Sequence, residues 1–215
     1  MNILIGIQAR SHSIRFPGKI FKEIGGKSLL QWVVDEANEA KKEFPNSMVQ
    51  VLLPFSDQIT KEYCYSHNIQ TCAPEVPEDD LIQRYNSAIE IFNMDAAIRL
   101  TADCWKLPSS VIETGIGCLN DGYDYVSTTV IRTYPEGFDL QGASRRGWEW
   151  LDKHQPKKRE HPFIEFDRNR WIRDLFIEEG FKQSQICDTN SIIFEKTSID
   201  TLEEYERAKK EYELD

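Results

Sequence analysis

The sequence lacks the marks of several protein classes. No apolar run reaches the roughly 18 residues of a membrane-spanning helix, so no membrane partner is expected. The opening MNILIGIQAR carries no basic stretch and no small-residue cleavage site, so no secretory leader is expected there. There is no N-x-S/T sequon, and the five cysteines, at 64, 72, 104, 118 and 187, form no C-x-x-C pair. A disulfide framework or structural zinc site is therefore disfavoured, and reduced thiols in the cytoplasm are expected. Positive charge is scarce: 26 Lys and Arg face 36 Asp and Glu, a net charge of −10. Such a chain is a poor general binder of DNA, RNA or anionic lipid, so nucleic acid is not an expected partner. No G-x-G-x-x-G is present, which leaves dinucleotide binding without support. Gly25-Gly26-Lys27-Ser28 imitates the tail of a P-loop, but the position where that motif needs its first glycine is Phe21. A D-x-D metal motif of the kind glycosyltransferases carry is also missing.

What is present is an ordinary globular composition. The chain has 215 residues, 40% hydrophobic and 29% charged, enough for one domain over 1–215 with a real core. Strand-like and helix-like segments alternate. Asn2–Gln8, Met48–Leu53, Ile69–Cys72, Ala96–Leu100, Tyr123–Thr128 and Ser191–Glu195 read as strands. Helices are predicted from Ser28 to about Lys42, over Asp57–His67, from Glu78 to about Phe92, and over Pro108–Leu119, Gly142–His154, Phe163–Glu179 and Asp200–Tyr212. Residues 9–27 read as a loop, and 130–140 as an extended stretch broken by Pro135 and Gly137. This alternation predicts an α/β fold with a mostly parallel sheet flanked by helices. In such sheets ligands sit beyond the carboxyl ends of the strands, which directs attention to residues 8–27 and 101–107.

The first of these segments is unusual in charge. Residues 1–27 hold Arg10, Arg15, Lys19, Lys22 and Lys27 against Glu23 alone, in a chain that is otherwise strongly acidic. Guanidinium forks and a lysine point charge near a strand end are what a polyphosphate needs. Gly18 adds the possibility of close backbone approach.

The loop reads Q-A-R-x-x-S-x-R-x-P-G-K from Gln8 to Lys19, followed by the G-G-K-x-L-L start of a helix. With E-D-D-L-I-Q-R-Y at 78–85, R-L-T-A-D-C at 99–104, D-Y-V-S-T at 124–128, R-T-Y-P-E-G-F-D at 132–139, R-E-H at 159–161 and S-I-D-T-L-E-E at 198–204, it resembles the cytidylyltransferase family. That family includes CMP-KDO and CMP-sialic acid synthetases. The resemblance is strongest to the spore coat polysaccharide biosynthesis protein F group.

The resemblance implies a Rossmann-like nucleotidyltransferase fold and a homodimer. It implies transfer of CMP from CTP to an acidic or phosphorylated sugar, with release of pyrophosphate, in surface polysaccharide precursor synthesis. Arg10, Lys19 and Asp103 match the catalytic positions. Gln8, Ala9, Arg10, Ser13, Arg15, Lys19, Asp80 and Arg84 match the nucleotide-binding ones. Asp103 and Asp200 match the carboxylates that hold Mg²⁺. Arg132, Glu136, Asp139, Arg159 and His161 fall on the acceptor side, with Glu160 beside them.

Local readings stand beside these. Asp80 and Arg84 are one helical turn apart and could simply pair. Asp103 could be a loop residue. Asp200 could be the N-cap of the last helix, with Glu203 three residues on as its capping-box partner. Relatives have Met-Gly where this chain has Ser11-His12, and Pro-Leu where it has Trp105-Lys106, so Trp105 and Lys106 are expected to reshape the acceptor pocket. The competing functions are a nucleotidyltransferase for another NTP and a non-catalytic nucleotide-binding relative.

Overall fold

The computed structural model describes residues 1–129, 132–154, 180–188 and 196–214. Strand β1 (Ile3–Gln8) opens the chain and is buried along nearly its whole length. A single 3₁₀ turn, Lys19–Phe21, and a small hairpin of β2 (Glu23–Ile24) and β3 (Lys27–Ser28) follow inside the segment expected to be loop. Gly25 and Gly26 form the hairpin turn, at φ 61° and 78°, a region that glycine enters without penalty.

Ser28 caps α1 (Leu29–Glu43), its Oγ accepting from Gln31 N at 3.1 Å, as the sequence predicts. Strand β4 (Ser47–Leu52), α2 (Gln58–Ser66), β5 (Thr71–Cys72), α3 (Leu81–Ile91), β6 (Ala96–Thr101) and α4 (Ser109–Asn120) continue the alternation. Asp57 and Asp80 cap α2 and α3. The remaining described elements are β7 (Tyr125–Ser127), β8 (Gln141–Ser144), α5 (Arg145–His154), β9 (Gln183–Gln185) and α6 (Leu202–Tyr212).

The strands form one seven-stranded sheet in the order β5-β4-β1-β6-β8-β7-β9. The pairs β5–β4, β4–β1, β1–β6 and β7–β9 are parallel; β8 runs antiparallel to both β6 and β7. Period-two alternation splits the core. Ile3, Ile5 and Ile7 face α1 and α4 with Leu30, Val33 and Ile112. Leu4, Leu52 and Ala97 face α3 and α5 with Tyr85, Ile89 and Trp148. On that second face the Tyr85 and Trp148 rings stack at 4.5 Å. Tyr85 lies so close to Gly6 that a Cβ there would sit 2.6 Å from the ring.

One expected helix is shorter at its start. Residues 142–144 belong to β8, not to the helix, because small side chains are needed between β6 and β7: a Cβ on Gly142 would come within 3.0 Å of Ile98 and Val126. Edge strand β9 is polar and half-buried, so it carries no apolar alternation to read. The helix expected over 163–179 and the strand over 191–195 lie outside the described residues. All five cysteines are free thiols. Among the described residues no helix is long and apolar enough to cross a membrane.

Parallel register aligns the carboxyl ends of three strands: Gln8 stands between Leu52 and Thr101. The loops after β1 and β6 therefore leave the sheet side by side.

Candidate active site

Those two loops enclose a cleft of about 340 Å³. Its first wall is the segment after β1. Ser11 fixes this segment: its N and Oγ donate to the buried Asp57 carboxylate at 2.7 and 2.8 Å. The Ser11 carbonyl in turn accepts from Gly18 N at 2.9 Å, closing the loop on itself. Gly18, at φ 69°, then turns the chain into the 3₁₀ turn that carries Lys19.

Lys19 is almost fully buried. Its Nζ donates to Asp103 Oδ2 at 2.5 Å, to Asp200 Oδ1 at 2.9 Å and to the Ile199 carbonyl at 2.9 Å. Burial alone would push its pKa down, but Asp103 and Asp200 outweigh that effect and hold it above the ordinary lysine value. Arg15 reaches the same oxygen of Asp200 at 2.8 Å from a more exposed position. Arg10 lines the cleft and makes no ion pair or hydrogen bond among the described residues.

Asp200 is not the N-cap of the last helix. Thr201 is, with Glu204 in a reciprocal capping box, and Asp200 N donates to Glu204 Oε2 at 2.7 Å. The Asp200 side chain is thereby released to face Lys19. Lys196 holds its other oxygen at 3.0 Å and Glu204 at 2.7 Å. Burial opposes the Asp200 carboxylate, yet Lys19 and Lys196 prevail and hold its pKa down at about 2.

Of the residues expected to bind nucleotide, Gln8, Ala9, Arg10, Ser13, Arg15 and Lys19 line this cleft, together with Asp103 and Asp200. Asp80 and Arg84 do not. Asp80 caps α3 through Gln83 N at 3.0 Å, and Arg84 is buried with Nη2 on the Glu78 carbonyl at 2.6 Å. Arg132, Glu136 and Asp139 also lie outside the lining. Arg132 pairs with Asp139 at 2.9 Å, while the Glu136 carbonyl accepts from Thr197 N at 2.6 Å and so ties this segment to the chain before Asp200. Arg159, Glu160 and His161 fall outside the described residues. Trp105 does not enter the cleft. It is buried behind it with Phe16, Leu29 and Ile199, its ring edge-on to Trp32 at 6.1 Å.

Sequence reasoning missed Asp57, Lys196 and Arg99. Arg99 lines the cleft from β6. A lone arginine in the apolar strand A-A-I-R-L-T is itself a signal, because a charge is buried in a strand only for a reason.

The donor set also fits a metal of one kind. Asp103 and Asp200 converge on one point, the position of Lys19 Nζ. Among the described residues no group of three or more His, Cys, Asp or Glu could form a closed cage. Two hard carboxylates beside a basic loop suit a hard divalent cation, Mg²⁺ among them, that takes its remaining ligands from water or a bound anion.

The family model for cytidylyltransferases matches residues 4–143, a stretch from β1 through β8 that carries every cleft residue except Asp200. The chain belongs to the cytidylyltransferase family. Cytidylyltransferases are nucleotidyltransferases, so the protein is an enzyme of that class. This cytidylyltransferase is similar in structure to one from Leptospira borgpetersenii serovar Hardjo-bovis (strain JB197), at 27% identity and a TM-score of 0.81, over 97% of this chain and 85% of that one. It shares its fold with CMP:2-keto-3-deoxy-manno-octonic acid synthetase, solved in complex with CTP, at 14% identity and a TM-score of 0.70, over 100% and 99% of the two chains. The spore coat polysaccharide biosynthesis protein SpsF of Bacillus subtilis (strain 168) is 28% identical over 105 residues, 47% of this chain and 43% of that protein.

Proposed function

We propose that this cytidylyltransferase transfers CMP from CTP to an acidic or phosphorylated sugar, releasing pyrophosphate, as a step in making surface polysaccharide precursors. The observation that carries the reading is the convergence of Lys19, Asp103 and Asp200 beneath a loop bearing Arg10 and Arg15. An acceptor oxygen attacks the α-phosphorus, and the bond to the leaving pyrophosphate breaks on the opposite side. Arg10 and Arg15 bind triphosphate oxygens and neutralise the leaving group. Lys19 moves from the two carboxylates to phosphate, and Asp103 and Asp200 then hold Mg²⁺. A metal held by Asp103 and Asp200 would supply neutralisation of the charge that develops on the phosphates. The same reading, supported by the family and by the SpsF relative, carries one catalytic domain over the whole chain, a homodimer and a cytoplasmic location.

Calorimetry with CTP, UTP, ATP and GTP in turn, each with Mg²⁺, tests the donor. Selective CTP binding that weakens in Arg10→Ala is expected. Preference for another NTP would replace the donor, and absence of any nucleotide binding would make the protein a non-catalytic relative. Pyrophosphate release from CTP, screened over sugar acids and sugar phosphates, then tests the acceptor.

A further inference from the structure

Arg99 is a buried cation without a counter-charge. Its residue surface is 5% exposed, yet it lines the cleft. Nε donates to Gln8 Oε1 at 2.9 Å and Nη1 to Gln141 Oε1 at 2.5 Å, both neutral amides. Lys19 and Arg15, the other cations of the cleft with protein partners, are each matched to a carboxylate; Arg99 makes no ion pair among the described residues. Its Nη2 has no protein partner among the described residues and is not sealed from solvent, so donors remain for a ligand. A guanidinium held out of water costs stability unless an anion completes it.

The surroundings orient this group. Gln141 Nε2 donates to Thr129 Oγ1 at 3.1 Å, and Thr129 Oγ1 lies 2.9 Å from Ser127 Oγ. That relay decides which end of the Gln141 amide meets Arg99, and Gln8 holds the guanidinium from the other side. Gln141 and Thr129 also bracket the connection between β7 and β8, which contains Arg132, Glu136 and Asp139. Arg99 shares the sheet face of Gly6 and Ala97, the face that α3 and α5 cover, and its guanidinium spans from Gln8 on β1 to Gln141 on β8, with the Nη1 end on the β8 side. The triphosphate loop stands over β1.

We propose that Arg99 is the receptor for the oxyanion of the acceptor, binding its carboxylate or phosphate and turning the nucleophilic oxygen toward the α-phosphorus. The assignment rests on the acceptor reading given above. It makes Arg99 a specificity residue: a neutral sugar would leave the buried charge unmatched and be rejected.

The test is calorimetry on the full chain with the non-hydrolysable α,β-methylene-CTP and Mg²⁺ already bound, so that the triphosphate loop is filled. Inorganic phosphate and acetate are titrated separately into wild type, Arg99→Gln and Arg99→Lys. Wild type is expected to bind one of them. Arg99→Gln should bind it about 10-fold or more weakly, with affinity for the nucleotide analogue within about threefold of wild type. Arg99→Lys, which keeps the charge, should fall between, and so separates loss of the receptor from loss of the fold. Preference for phosphate points to a phosphorylated acceptor, and preference for acetate to a sugar acid. Anion binding absent in wild type, or equal in Arg99→Gln, overturns the proposal. So does a matching loss of nucleotide affinity, which would move Arg99 to the nucleotide. If the analogue does not bind, the donor reading fails separately, and the same titrations without nucleotide still compare Arg99→Gln with wild type.

Discussion

Lys19 Nζ lies 2.9 Å from Asp200 Oδ1, although 181 positions separate the two residues. The same ammonium holds Asp103, so one cation closes the space between two carboxylates. In the proposed reaction nucleotide binding exchanges these contacts: phosphate for the lysine and metal for the acids. The first prediction follows from that exchange.

Lys19→Met should lower turnover by about 10- to 150-fold or more, the effect of one lost charge-assisted hydrogen bond in the transition state. It also strips Asp103 of its ion-pair partner and removes the cation between the two carboxylates, while Asp200 keeps Arg15 and Lys196. The variant should therefore melt lower than wild type in chelator and recover part of the difference in Mg²⁺. Pyrophosphate release and melting curves with and without Mg²⁺ check both points. Near-normal turnover would remove this loop from the active site.

Arg10 stands half-exposed in the cleft and pairs with no carboxylate among the described residues. Arg10→Ala should therefore leave melting temperature close to wild type while turnover drops by a similar 10- to 150-fold. A comparable loss of stability would make Arg10 structural.

Asp103→Asn keeps a side chain of the same shape but removes one of two charges available to a divalent ion. The Mg²⁺ concentration needed for half-maximal turnover should rise at least about 10-fold. Titration of activity against Mg²⁺ measures this directly. An unchanged metal dependence would leave Asp103 as a partner of Lys19 only.

Asp57 lies outside the cleft, yet its carboxylate accepts from Ser11 N and Oγ and from Thr60 N and Oγ1. Asp57→Ala leaves these buried donors unsatisfied, with an expected loss of about 3 kcal/mol or more in stability by urea unfolding. Because Ser11 anchors the loop after β1, which the proposed function assigns to the triphosphate, KM for the nucleotide should rise more than kcat falls. A stability loss with unchanged KM would separate the anchor from the site.

The Lys19–Asp200 pair also shapes the dependence of stability on pH. The folded Asp200 pKa, about 2, lies below its ordinary 3.8, so its contribution is present above that range and is lost as pH falls through it. The folded Lys19 pKa lies above 10.5, so its contribution is full below that value and is lost as pH rises through the raised one. Asp200→Asn should flatten the acid limb and lower neutral stability by about 2 kcal/mol. Urea unfolding at about pH 3 and pH 6 reads the difference. An acid limb as steep in the variant as in wild type would assign it to other carboxylates.

Much of this protein was legible in the sequence, for physical reasons. The buried strand Ile3–Gln8 announces itself by its apolar run and Ala96–Thr101 by one that Arg99 alone interrupts with charge, and Ser28, Asp57 and Asp80 stand where helix starts need oxygen acceptors. The cations Arg10, Arg15 and Lys19 are visible because they interrupt an acidic chain beside a strand end. The β8 segment Gln141–Ser144 was not visible, because small residues show no alternation until two neighbouring strands press on them.

Local pattern and long-range contact competed most directly at the chain's last helix. Asp200-Thr-Leu-Glu fits a capping box as well as Thr201-Leu-Glu-Glu does, and spacing alone does not choose. The choice falls to Thr201 because Asp200 is needed elsewhere: Lys19, Arg15 and Lys196 claim its two oxygens. The sequence by itself determined the alternation of strands and helices, the basic loop after the first strand and the acids available to oppose it. Only the tertiary structure decided which acid meets Lys19, and that Arg99 reaches the cleft without an ion pair among the described residues, because ion pairing and burial depend on distances that strand register sets and sequence separation does not.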